Sequence, residues 1–440
     1  QGGPRTFTVS RDPTRGWVLD AGAVHGLPVP QGAETASLAL FPMGTDSSDL
    51  ADLAHSIGMA QLTEVFPAQS KVSLAMHSCQ PPEPGETFKA VVVSLPLPPL
   101  AVSLHGDGAA LELVRTAMAG SGPEGSRSLL VHEGTAAAAA LLLRAVNGRY
   151  EISRPGDPCP LTVGVPGFDA EQARLAVLRL EHIARWTKIV ELRNPGSLIP
   201  ADAVQLEILQ PQEHEDLESA AEDGVRLEIL QPGEHGDWQP AGEGSVRPEV
   251  FQPGGQGDWQ PAAEGGVRLA YQWEQNGWRQ PCFKVRLVNR GGMRLFCLLL
   301  DLPETFGVFP LLRGSGGIWL EHGQEAWAND GQPLYAEIPD PLWQAGAFEF
   351  KDTLKLIVST EECDATLLAQ DDLPTSAAQV QDQVQDQVPG PAHRALPRNT
   401  LARLMQRVGY RHLSAEPSAT DAIADWTAAE VAFTIYRPSA

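Results

Sequence analysis

Residues 204–266 write one 21-residue sentence three times: VQLEILQPQEHEDLESAAEDG, VRLEILQPGEHGDWQPAGEGS and VRPEVFQPGGQGDWQPAAEGG. Val204, Val225, Val246 and Val267 mark the period. Each copy holds one strand-like run and a Gly/Pro-rich acidic return. A unit this short cannot enclose a core, and three are too few and too rich in Gly and Pro for a solenoid. The fourth copy starts at Val267 and drifts into VRLAYQWEQNGWRQPCFKVRLVNRGG, which continues as an ordinary domain. The repeats therefore read as a duplicated strand-plus-loop at that domain's edge. An extended or mobile insertion is expected, with a small stacked sheet as the alternative.

Around this insertion the chain is punctuated at short intervals, which limits most of it to strands. Residues 1–82 read as a small β-barrel, punctuated by Gly22, Gly26 and Gly32, with Leu62, Val65, Val72 and Leu74 facing its core. Residues 83–165 read as an α+β module. There, AALELVRTAMAG has helical spacing at Leu111, Leu113, Val114 and Met118, while RSLLVHEG, AALLLRAV and RYEISRPG are strand-length. The alanines of the second run would also suit a helix.

Residues 166–203 hold the strongest helix. Asp169 is its N-cap, and Leu175, Leu178, Ile183, Trp186 and Val190 keep near-helical spacing. Asn194-Pro195-Gly196 stops it after roughly 24 residues, a length suited to bracing one domain against the next. Residues 267–370 carry six strand-length runs and read as an antiparallel β-sandwich. Residues 371–399 include QVQDQVQDQVPGP and read as a disordered linker. Residues 400–440 offer a short helix, with Leu401, Leu404 and Val408 on one side. A terminal apolar strand, EVAFTIYRP, must return to an earlier sheet. The expected fold class is α+β, multi-domain and β-rich.

The totals restrict function. The formal net charge of -23 argues against nucleic acid as a partner, because phosphate backbones need Lys/Arg clusters. No apolar run reaches about 18 residues, so no membrane-spanning helix is expected. Five scattered cysteines, Cys79, Cys159, Cys282, Cys297 and Cys363, include no C-x-x-C pair. They point to reduced thiols in a cytoplasmic protein and away from a zinc site. Gln1 is neither an initiator Met nor the start of a signal peptide, so the chain reads as a processed product or an excised fragment.

The chemistry-bearing motifs stand apart from one another in the sequence. Cys79 with His77, or with His105, would supply a thiolate nucleophile and its base. Their settings, a strand end before Pro-Pro and the turn His105-Gly106-Asp107-Gly108, favour structural roles. Glu213, His214, Glu215 and Asp216, and likewise Glu234, His235 and Asp237, could ligate a metal, but a Gly/Pro loop favours a solvated acidic surface. Trp238 and Trp259, each in GDWQP, either pack on their own repeat or contact a partner. Gly314-Ser315-Gly316-Gly317 lacks the Lys-Ser/Thr of a phosphate loop. No catalytic, cofactor-binding or metal-ligating residue is assigned.

Several segments taken together resemble the C-terminal, non-catalytic half of prokaryotic caspase-like cysteine peptidases. They are GWVLDAGAVHG (16–26), VVVSLPLPPLAV (91–102), RLAVLRLEHIARWTKIVELRNP (174–195), LKLIVSTEECDATLLAQDDL (354–373) and DWTAAEVAFTIYRP (425–438). Residues 267–365 also resemble a β-sandwich module that recurs beside such peptidases. The resemblance implies part of a bacterial enzyme of stress, cell-death or defence proteolysis. Its partners would be a caspase-like catalytic domain or chain, protein substrates or an activating protease. The family's Ser-Gly-His-Gly-like and Asp-x-Cys-His-Ser-like catalytic motifs do not occur here, so no catalytic residue carries over and no cofactor is implied. The alternative is a stand-alone binding protein that is the substrate or inhibitor of a protease.

Overall fold

A computed structural model describes residues 6–25, 27–30, 35–77, 82–83, 85–122, 125–157, 159–194, 197–211, 230–232, 238–240, 259–261, 267–274, 277–314, 316–344, 346–375, 401, 404–405 and 424–438. The first body is a closed six-stranded barrel, β1-β2-β5-β4-β3-β6. Its strands are β1 Phe7–Asp12, β2 Gly16–Leu19, β3 Ser37–Pro42, β4 Gly58–Val65, β5 Ser70–Met76 and β6 Phe88–Ser94. Alternation fills the interior with Phe7, Val9, Leu38, Leu40, Leu62, Val72 and Phe88. Val65 and Leu74 pack only partly against this core. Gly22 is required by close approach: a Cβ there would lie 2.1 Å from the Phe66 carbonyl oxygen. The barrel does not close at residue 82, as the boundary read from sequence had it. Strand β6 lies beyond that point and pairs with both β1 and β3.

The second body has a five-stranded sheet, β11-β10-β9-β7-β8. It is formed by β7 Leu100–Gly106, β8 Val131–Glu133, β9 Leu141–Val146, β10 Arg149–Ser153 and β11 Val165–Pro166. Helix α1 (Gly108–Gly120) crosses between the parallel strands β7 and β8. Asp107 caps it by accepting the Ala110 N–H at 2.9 Å. AALLLRAV resolves as strand: Leu141, Leu143 and Ala145 are buried on alternate positions.

Helix α2 (Ala170–Glu191) has the Asp169 cap expected of it, accepting from the Gln172 N–H. Its buried face matches the expected one at Ile183 but not at Leu175 or Leu178. Ala173, Ala176, Val177, Leu180 and Ala184 are buried, whereas Leu175 and Leu178 are half-buried. The cause is that α2 is packed from two sides. Its N-terminal half lies on the five-stranded sheet and its C-terminal half joins a different core.

That core belongs to a β-sandwich. One sheet is β15-β12-β19-β23, with β24 also on β19; the other is β16-β26-β25-β20-β21, with β22 also on β20. The strands in chain order are β12 Val204–Pro211, β13 Leu230–Pro232, β14 Trp238–Pro240, β15 Trp259–Pro261, β16 Val267–Ala270, β17 Gln272–Glu274 and β18 Gly277–Arg279. They continue with β19 Cys282–Asn289, β20 Leu295–Asp301, β21 Phe309–Pro310, β22 Gly317–Leu320, β23 Glu325–Trp327, β24 Leu334–Tyr335, β25 Glu349–Ser359 and β26 Trp426–Tyr436. Strands β13–β14 and β17–β18 form separate two-stranded hairpins.

Three features depart from the sandwich read at 267–370. Strand β12 of the first repeat pairs along β19, so the insertion begins inside the sheet. The terminal strand does return to a sheet, as β26, and takes an interior place between β16 and β25. Its pairing with β16 is parallel, so the sandwich is not wholly antiparallel. Strands β20 and β25 are covered on both faces, which accounts for the unbroken apolar run of LFCLLL. Leu299 and Leu356 face the inner core; Leu298 and Ile357 face the core shared with α2. Leu401 and Leu404 are buried in that outer core with Met405. Val408 lies outside the described residues, as do the repeat loops and residues 376–400.

Candidate functional site

The most heavily built place in the molecule is where α2 meets the two bodies it separates. Polar side chains are buried on a helix only when partners satisfy them. Glu181, 1% exposed, accepts hydroxyls from Ser121 at 2.8 Å and Ser128 at 2.7 Å. The Arg179 guanidinium donates to the Val163 carbonyl, and burial lowers its pKa to about 10. Lys188 donates to the Pro98 carbonyl in the segment leaving the barrel.

Lys355, 1% exposed in β25, donates at 2.6 Å to the Val190 carbonyl in the last turn of α2. A cation suits the negative end of a helix. Burial still lowers its pKa to about 8, with Glu430 partly compensating from 3.7 Å. Just past the helix, Asn194 donates to the Trp426 carbonyl at 2.8 Å and Arg193 pairs with Glu430 at 2.7 Å. The Leu198 N–H donates to Asp425 at 3.0 Å. Burial raises the pKa of that carboxyl.

On the other flank, His182 Nε2 lies 3.0 Å from the Phe306 carbonyl oxygen. Gln370 donates to the same oxygen at 2.6 Å. Phe306 has φ of +68°, a left-handed conformation unusual for a bulky residue. Its ring meets Trp186 edge-on at 5.3 Å. Burial pushes the His182 pKa down to about 4, helped by the nearby Arg185 charge; the carbonyls of Phe306 and Asp371 oppose this only in part. His182 is thus a neutral ring donating from Nε2.

The same loop borders a carboxyl pair. Asp301 ends β20 and Asp352 is the fourth residue of β25, and their carboxyls face each other in a largely buried place. Burial first, then the neighbouring carboxyl, push Asp352 up to about 10; burial likewise raises Asp301. Burial and the mutual repulsion both disfavour the doubly ionised pair.

Among the described residues, those singled out from the sequence form no catalytic arrangement. His77 Nδ1 sits 3.2 Å from the Ser56 carbonyl oxygen. His105 Nε2 instead lies 2.8 Å from Ser103 Oγ, one alternation back along β7. Among the described residues no carboxylate bonds to His105, so the base-orienting third member of a triad is absent from that pair. Cys282, Cys297 and Cys363 are buried. Burial raises each thiol, Cys297 to about 12, away from a nucleophilic thiolate. Cys159 is exposed.

Cys79 and both acidic His-containing clusters, 213–216 and 234–237, lie outside the described residues. So do the side chains of Trp238 and Trp259, whose backbones begin β14 and β15. Gly314 and Gly316 have left-handed φ and Gly317 opens β22, where a Cβ would lie 2.5 Å from Leu298 Cδ2. Among the described residues no His, Cys, Asp and Glu groups converge as metal ligands. No described helix is long and apolar enough to cross a membrane.

One surface was not anticipated. Arg437 stacks between the rings of Tyr271 and Trp343, at 4.4 and 4.3 Å. Trp343 meets Phe348 edge-on, and Phe348 is 58% exposed. Nearby, Trp273 on the β17–β18 hairpin is 67% exposed against its partner Trp278. QWEQNGWRQ carried the signal: two tryptophans flanking an Asn-Gly dipeptide, a sequence pattern of hairpins. No protein-family model, curated protein or solved structure matches this chain.

Proposed function

We propose that this chain is the C-terminal accessory portion of a bacterial caspase-like protease. In this reading it holds the catalytic domain and recruits substrate or activator, and performs no chemistry itself. One observation carries the proposal. Of the five segments that resemble the peptidase family, four meet at one junction. Leu95 and Leu97, then Trp186, Ile189 and Leu192, then Ile357, Cys363 and Leu368, then Trp426, share one core. Lys188 to Pro98 and Lys355 to Val190 tie the same segments by hydrogen bonds. The resemblance thus falls on a framework that fixes the relative positions of barrel, α/β sheet and sandwich.

The test is to purify the chain with the caspase-like catalytic polypeptide encoded beside it, before and after activation. A stable complex is expected, weakened by Lys355→Ala. The absence of a complex in every activation state, or of any such coding sequence, would overturn the reading.

A second reading, an independent protease-binding protein, is favoured by the exposed aromatic group around Arg437. Exposed Trp and Phe flanking an Arg match the composition of binding hot spots. Trp273→Ala abolishing capture by a protease, in a chain that binds no catalytic partner, would select it.

A further inference from the structure

Four described arginines of the sandwich lie over aromatic rings, and three of them are neutralised within the chain. The Arg268 guanidinium lies 4.6 Å from the centre of the Tyr436 ring and pairs with Glu349 at 2.7 Å. That of Arg286 lies 5.6 Å from the Trp327 ring, and Glu207 accepts from its Nε at 2.9 Å. That of Arg294 lies 4.4 Å from the Trp319 ring and pairs with Glu321 at 3.4 Å. The fourth is Arg437, gripped by the rings of Tyr271 and Trp343 instead of by one ring. Among the described residues no carboxylate pairs with it, and its buried Nε has no hydrogen-bond partner.

The surroundings of Arg437 are apolar. Its main-chain N–H donates to the Phe348 carbonyl at 3.1 Å, and the Phe348 ring is exposed. The Tyr271 hydroxyl accepts the Ile338 N–H at 3.0 Å, which brings the segment of exposed Tyr335 to the same end of the sandwich. Exposed Trp273 follows Tyr271 on the next alternate position. A planar guanidinium held between rings keeps its fork in one orientation and suits a carboxylate, which it binds through two parallel N–H···O bonds. Apolar neighbours strengthen such a pair by keeping water from it. A multiply charged phosphate ligand calls instead for a cluster of cations, and a chain of net charge -23 repels it.

We infer that Arg437 is the centre of a binding site for a peptide segment of a partner protein, one that presents an Asp or Glu side chain beside an aromatic or aliphatic one. The carboxylate takes the Arg437 fork, as Glu349, Glu207 and Glu321 take the forks of the other three, and the apolar neighbour packs on Phe348 and Trp343. The site rests on the surface that favours the protease-binding reading and names the chemistry which that surface takes. Its test uses this chain alone. A chain that binds such a peptide but no protease would end that reading and leave this one standing.

Selection from a displayed library of random peptides on the full chain is the experiment. The enriched peptides are expected to share an Asp or Glu next to an apolar residue. Calorimetry on the most enriched peptide should show an affinity loss of about tenfold to a hundredfold when its acid is changed to the amide. Arg437→Gln and Arg437→Lys should each cost about as much, the second because an ammonium keeps the charge without the fork. The amide peptide should lose little more in the Arg437→Gln background. The change in the peptide leaves the protein untouched, so a loss there cannot come from misfolding. Enrichment without a shared acid overturns the site, as does an amide peptide that binds as tightly as its parent, or full binding by Arg437→Gln. Displacement of the peptide by inorganic phosphate but not by acetate would make it a phosphate site and overturn the carboxylate. A concentration-dependent dimer that Arg437→Gln dissolves would place the acid in a second copy of this chain and overturn the partner.

Discussion

The barrel and the α2 junction are both buried, but they are buried by different means. The barrel interior is apolar side chains on alternating strand positions, and a fully buried hydroxyl, Ser70, donates to the Ala21 carbonyl. The junction encloses Glu181, Lys188 and Lys355, each held by a named partner. The difference teaches that the barrel is fixed by volume and the junction by pairing. Volume tolerates a similar apolar shape. Pairing tolerates removal of both partners far better than removal of one.

The largest effect expected is Phe88→Ala in the barrel, a loss of about 3–5 kcal/mol by urea unfolding. Phe88→Leu should recover most of it. Comparable losses for both substitutions would break the claim that volume governs there. Next comes Glu181→Ala, which strands two seryl hydroxyls and is expected to cost about 3 kcal/mol. The triple change of Glu181, Ser121 and Ser128 to Leu, Ala and Ala should cost less than Glu181→Ala alone. A larger loss would show that the junction, too, is governed by volume.

The carboxyl pair gives a smaller effect with a pH signature. Asp352 is raised from the ordinary carboxylate value to about 10 in the fold. Its contribution is therefore present at low pH and is lost as pH rises from about 4 toward 10. Asp352→Asn should stabilise by roughly 2 kcal/mol at neutral pH and by little near pH 4, measured by denaturant unfolding across pH. His182 has the opposite slope. Its folded pKa of about 4 lies below the ordinary 6.5, so stability is lost as pH falls through that window. His182→Gln should remove up to about 2 kcal/mol of that acid loss while keeping a donor for the Phe306 carbonyl. An unchanged acid limb would mean that His182 is not held neutral.

The two regions also differ in how well the sequence announced them. In the barrel, alternation at Leu62 and Val72 revealed the inward face; Gly26 and Gly32 lie outside the described residues. Only β6 was assigned to the wrong body, because strand character says nothing about which sheet a strand joins. Asp169 announced the start of α2, but its neighbours did not announce its buried face. Leu175 and Leu178 match the periodicity, yet Ala173 and Ala176 are the buried ones. A brace touched from two sides has no single apolar stripe. Lys355 and Asp352 are buried charged residues of β25. Their partners, Val190 and Asp301, are remote in sequence, so no local rule could find them.

The interior position of β26 orders the assembly of the sandwich in time. Strands β16 and β25 both hydrogen-bond to it, yet it is synthesised after every other strand of the two sheets. Until translation reaches Tyr436, the second sheet lacks its middle and β16 lacks the neighbour it pairs with. Among the described strands of that sheet, the one made last is therefore the one that joins β16 to the rest.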